Sequence, residues 1–84
     1  MTRDQINVAL AAILETLASD PDHTAPIGPM YAAFMATHEF SVDDVDAVFS
    51  IAATAGLIAR GRSIATLTPR GENMVAQIRA HRAA

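Results

Sequence analysis

The chain predicts a mainly α-helical fold with one small β-hairpin: three helices, a two-stranded hairpin, then a C-terminal helix. Three observations predict it. Apolar residues recur at steps of three and four over separate segments, the spacing that gathers them on one helix face. Between those segments stand residues that start and stop helices. Finally, "GLIARGRSIATLTPRGE", residues 56–72, reads as strand, tight turn, strand and helix start. Eighty-four residues suit a single domain spanning 1–84, able to bury roughly 60% of its unfolded surface.

The first helix is expected over Arg3–Ala18, where Ile6, Leu10, Ile13, Leu14 and Leu17 share a face. Val8 and several alanines widen that stripe beyond what one packing contact requires. "SDPDHTAPIGP" follows, and its three prolines, glycine and two aspartates predict a loop. The second helix is expected from Pro29, whose missing N–H costs nothing in a first turn, to near His38. Met30 and Phe34 should face inward, with Tyr31 and Met35 beside them.

Ser41 and Asp44 give the third helix its start. A serine cap with an acidic residue three positions later satisfies two orphan N–H groups and meets the helix dipole. Val45, Val48, Phe49, Ala52 and Ile51 form its expected buried side, and Gly56 its stop. The hairpin is expected to pair residues 57–59 with Ile64–Leu67, leaving Arg60, Gly61, Arg62 and Ser63 at the tip. Leu57, Ile64 and Leu67 should point inward. Thr68 caps the last helix, Pro69 occupies its first turn, and Met74, Val75 and Ile78 are its expected core residues. "RAHRAA" is expected to fray into a tail.

Composition narrows the chemistry. There is no cysteine, which excludes disulfides, thiolate metal sites and cysteine nucleophiles. His23, His38 and His81 are far apart and lack the spacing of a helical metal site, so no metal or other cofactor is expected. The serines have capping or turn roles, and no glycine-rich phosphate loop is present; an enzyme is not expected. No stretch approaches the roughly 18 apolar residues of a membrane span. Asp4, Gln5, Asn7 and Glu15 interrupt the N-terminal apolar run, unlike a signal peptide. A cytoplasmic protein is expected.

Charge is polarised. Residues 1–56 hold Arg3 against eight carboxylates, whereas residues 57–84 hold five arginines against Glu72, for a net charge of −3. A basic end on an acidic body points to an anionic partner, or to attraction between two copies of the chain.

"AGLIARGRSIATLTPRGE", residues 55–72, resembles the end of the recognition helix, the wing and the "LTPxG" helix start of MarR- and PadR-type regulators. The resemblance implies a winged helix-turn-helix fold and a transcriptional regulator acting as a homodimer on double-stranded DNA. It implies wing and helix-start contacts from Arg60, Arg62, Ser63 and Arg70, and a reading helix offering Ser41, Asp43, Asp46, Ala47 and Ser50. That helix departs from the pattern. It carries three aspartates and no cation, and carboxylates repel the phosphates that supply most affinity.

The alternative is a protein-interaction module on the same fold, docking its acidic third helix on a basic protein surface without binding DNA. A compact phage or mobile-element factor that binds a host protein would fit this size. Arg79, His81 and Arg82 are accounted for by the preference for cations at a helix C-terminus. The wide apolar face of the first helix, with a core short of large side chains, predicts a homodimer built from the first and last helices.

Overall fold

The computed structural model describes residues 2–83, the His38 side chain excepted. Four helices surround a small antiparallel sheet in the order α1 (Arg3–Ala18), β1 (Thr24–Pro26), α2 (Ile27–His38), α3 (Val42–Thr54), β2 (Ile58–Arg60), β3 (Ile64–Leu67) and α4 (Pro69–Ala83). The strands lie in the order β1-β3-β2, so β3 is central. This arrangement is winged-helix-like. Its Cα radius of gyration is 12.0 Å, close to the roughly 12 Å expected of a compact unit this long.

The third strand corrects the expected loop. Asp20 Oδ2 accepts from the N–H groups of Asp22 and Thr24 at 2.8 and 3.2 Å, closing a turn in which His23 has φ 57°. The chain leaves that turn extended. Thr24, Ala25 and Pro26 pair with Thr66, Ala65 and Ile64, and Leu67 N–H donates to His23 C=O at 2.8 Å. Pro26 can end β1 because an edge strand does not need every N–H. The second helix accordingly starts at Ile27 rather than Pro29, which still lies in its first turn.

Helix starts follow the sequence signals closely. Thr2 and Gln5 cap α1 reciprocally, and Ser41 and Asp44 do the same for α3. At the far end of α3, Gly56 adopts φ 75°. Its N–H donates to Ala53 C=O at 3.0 Å and that of Leu57 to Ala52 C=O at 2.9 Å. These paired bonds satisfy orphan helix carbonyls, and the left-handed φ explains why glycine stands there.

Four of the five letters of "LTPRG" have a structural reason. Leu67 is buried. Thr68 Oγ1 accepts from Gly71 N–H at 3.0 Å, capping α4, and donates to Gly56 C=O at 2.6 Å, which joins the ends of two helices. Pro69 opens α4 without wasting a donor. A Cβ on Gly71 would sit 2.2 Å from Leu57 C=O and 2.5 Å from Leu67 Cδ1. Only glycine lets α4 approach β2 and β3 this closely.

The core collects Ile13, Leu14 and Leu17 from α1, Met30 and Phe34 from α2, and Val45, Val48, Phe49 and Ala52 from α3. Leu57, Ile58, Ala65, Leu67 and Val75 close it from the sheet and α4. Several expected inward positions are corrected. Ile64, Ile51 and Met74 are 50%, 41% and 37% exposed. In β3 the alternation buries Ala65 and Leu67, so Ile64 must face out. Leu57 precedes β2 yet is buried, and Ile58 joins it. The last helix continues to Ala83 instead of fraying at "RAHRAA".

Candidate functional site

The outward side of α3 mixes small and polar residues with the exposed apolar Val42 and Ile51. Asp43, Ala47, Ser50, Ile51 and Thr54 are exposed, and Ser50, Ile51, Thr54 and Ala55 line a shallow depression. Its three carboxylates have different neighbours. Asp44 accepts from Ser41 N–H at 3.1 Å and belongs to the helix cap. Asp46 is engaged by groups from α2 and β2. Among the described residues, Asp43 has no ion pair or side-chain hydrogen bond.

Around Asp46 the structure assembles a cluster from three elements. Tyr31 Oη on α2 donates to Asp46 Oδ1. Arg60 Nη2, at the end of β2, donates to Tyr31 Oη at 2.6 Å and lies 3.4 Å from the same Asp46 oxygen. The guanidinium carbon stands 5.6 Å from the Tyr31 ring centre and 5.5 Å from that of Phe49. Those rings pack at 5.1 Å with a 34° tilt. A planar cation resting on aromatic faces gains from their negative quadrupole while it pairs with a carboxylate at its edge.

The cluster shifts two ionisations. The phenol's hydrogen bond, with help from Arg60, holds the Asp46 carboxyl below its usual range. Burial raises the Tyr31 pKa, and its bond to Asp46 pushes in the same direction. Both shifts favour a neutral phenol donating to an ionised carboxylate.

Arg60 therefore differs from its expected place. It ends β2, its side chain folds back over α2 and α3, and its guanidinium is engaged. The tip is tight: Gly61 N–H donates to Ile64 C=O at 2.9 Å, and Ser63 C=O accepts from Ile27 N–H at 2.9 Å. Arg62 is exposed at that tip, and its side chain has no ion pair or hydrogen bond among the described residues. Arg70 lies beside the C-terminal end of α3, its Cδ 3.7 Å from where a Gly56 Cβ would stand. Of the candidates read from sequence, Ser41 is used as a cap and Asp46 is held by Arg60 and Tyr31. Asp43, Ala47, Ser50, Arg62, Ser63 and Arg70 remain exposed.

Sequence reading places Tyr31 with the core-facing residues of α2 and does not pair it with Asp46 or Arg60. Its partners stand 15 and 29 positions away, so no local spacing advertises them.

Elsewhere, His23 Nδ1 approaches Glu72 Oε1 at 2.8 Å, linking the β1 turn to α4. Arg82 Nη1 lies 2.9 Å from Glu15 Oε1, tying α4 to α1. That contact is an ion pair without an aligned hydrogen bond at this oxygen. Among the described residues no three His, Cys, Asp or Glu side chains gather as metal ligands, and no helix is long and apolar enough to cross a membrane. In comparisons with known proteins the chain matches no protein family, and neither a curated protein nor a solved structure matches it significantly.

Proposed function

We propose that this chain is a small winged-helix DNA-binding protein of the MarR- and PadR-like kind, a cytoplasmic transcriptional regulator that acts as a homodimer and not as an enzyme. One observation carries the reading. Of the three carboxylates on α3, Asp44 is taken up in the helix cap and Asp46 is held by Arg60 and Tyr31. The Asp46 charge is thereby offset by Arg60, and Asp44 sits at the positive end of the helix dipole. Both lessen the repulsion an acidic reading helix would exert on phosphates. Ala47, Ser50 and Thr54 are short enough to let the helix approach base edges, and hydroxyls can accept from or donate to them. Arg62 at the wing tip and Arg70 beside the end of α3 supply the phosphate contacts.

Two cations per protomer make a modest binder. The logarithm of affinity should fall with the logarithm of salt at a slope of about −1.8 per protomer, and about −3.6 for a dimer. The test is anisotropy of a labelled mixed-sequence duplex with wild type and with Arg62→Ala plus Arg70→Ala. The double variant should lose most binding at low salt.

A second reading, docking on a basic protein surface without DNA, draws on Ile51, which is 41% exposed on the same face. An apolar side chain there suits a protein partner better than a groove. Absence of duplex binding at low salt would select this reading.

A further inference from the structure

Tyr31 and Arg60 aim two donors at a single oxygen. Tyr31 Oη donates to Asp46 Oδ1, and Arg60 Nη2 stands 3.4 Å from that same oxygen while donating to the phenol at 2.6 Å. The guanidinium is backed by the Phe49 and Tyr31 rings, whose centres lie 5.5 and 5.6 Å from its carbon. A phenol and a guanidinium converging on an anionic oxygen, with aromatic support behind, form a built anion site. Its present occupant is a carboxylate of the same chain.

We propose that Tyr31 and Arg60 are an anion-binding pair for a nucleic-acid backbone phosphate, and that Asp46 is its exchangeable internal occupant. This rests on the DNA-binding reading above. The exposure supports exchange: the Arg60 and Asp46 side chains are 34% and 47% exposed, so solvent and an incoming phosphate reach both. Position supports it too, since Asp46 lies on the helix that reads DNA and Arg60 on the strand that leads to the wing tip. In the free protein the carboxylate satisfies the pair. A phosphate must displace it, so Arg60 adds less affinity while Asp46 is ionised. Asp46 thereby keeps non-specific binding low and makes the contact conditional on a well-placed phosphate.

The experiment is a double-mutant cycle read by anisotropy of a labelled mixed-sequence duplex across a salt series. Asp46→Asn should tighten binding about tenfold at low salt, the scale of one charge-assisted contact. It should also steepen the salt dependence by about 0.9 per protomer, one further phosphate each, and so by about 1.8 for the dimer. Arg60→Ala alone should weaken binding, because Asp46 then keeps its charge on α3 with no guanidinium to offset it. The loss should fall short of the roughly tenfold that Arg60 contributes once Asp46→Asn has freed it. In the Asp46→Asn background, Arg60→Ala should erase all but the smaller gain that loss of one carboxylate gives by itself.

Asp43→Asn makes the same charge change on the same helix without freeing an arginine. Its smaller gain should persist when Arg60 is removed. Thermal melts establish that each variant folds, and Asp46→Ser replaces Asp46→Asn if the latter does not. A gain from Asp46→Asn that matches Asp43→Asn, or survives loss of Arg60 undiminished, overturns the exchange while leaving DNA binding intact. Absence of binding by every variant at low salt overturns the DNA-binding reading itself.

Discussion

Asp46 couples one carboxylate to a phenol and a guanidinium, and that coupling gives the fold a defined response to pH. Because the folded pKa of Asp46 is lowered, its contribution to stability is complete above the unfolded value of about 3.9 and is lost as pH falls through the folded value. Tyr31 runs the other way. Its raised pKa makes a contribution that is complete below about pH 10 and fades as pH climbs through the folded value. Circular-dichroism melts of wild type and Asp46→Asn should therefore differ near neutrality and converge in acid, below the usual aspartate range. A gap that persists unchanged into acid would show that the ionised carboxylate contributes nothing. At this scale sequence reading had uneven reach. Ser41 and Asp44 are three positions apart, so their reciprocal bonds were legible. Arg60 finds Asp46 and Tyr31 at separations of 14 and 29, which only the folded chain brings together.

At the scale of elements, the joint between α4 and the sheet is the most exacting contact. Gly71 lies in the first turn of α4, where an added Cβ would overlap the Leu57 carbonyl. Gly71→Ala should cost about 3 kcal/mol in urea unfolding, the upper range of overpacking, because backbone rather than a mobile side chain must yield. Gly28→Ala is the matched control: nothing lies within 4 Å of its Cβ, so it should be neutral or stabilising by up to about 1 kcal/mol. Equal losses at both would contradict the close approach. The "LTPRG" pattern announced this joint, whereas β1 stayed hidden. Three residues with prolines on both sides offer almost no strand signal of their own. Thr24 and Ala25 become a strand because β3 provides partners and the Asp20 turn delivers them. Ile64 was misassigned because it stands three positions from Leu67, so an extended strand puts the two on opposite faces. With Leu67 buried, Ala65 faces in and Ile64 out.

Across the whole molecule the charge division survives folding, though not as a plain acidic body and basic end. Arg60 returns to α3 to meet Asp46, and Arg82 returns to α1 to meet Glu15. Arg62 and Arg70 remain available for an external anion. Val8 on α1 is 59% exposed and Met74 on α4 is 37% exposed, on two helices that pack together. These exposed apolar side chains support the proposed homodimer, and light scattering at micromolar concentration should return twice the 8.9 kDa chain mass. A monomer mass would contradict it. The central claim, that Arg62 and Arg70 turn a winged-helix-like fold toward DNA, is tested most directly by the salt dependence of duplex binding. Wild type should bind at low salt with a slope of about −3.6 as a dimer, and Arg62→Ala should flatten that slope by about 1.8. No binding at low salt, or a slope unchanged by Arg62→Ala, would contradict it.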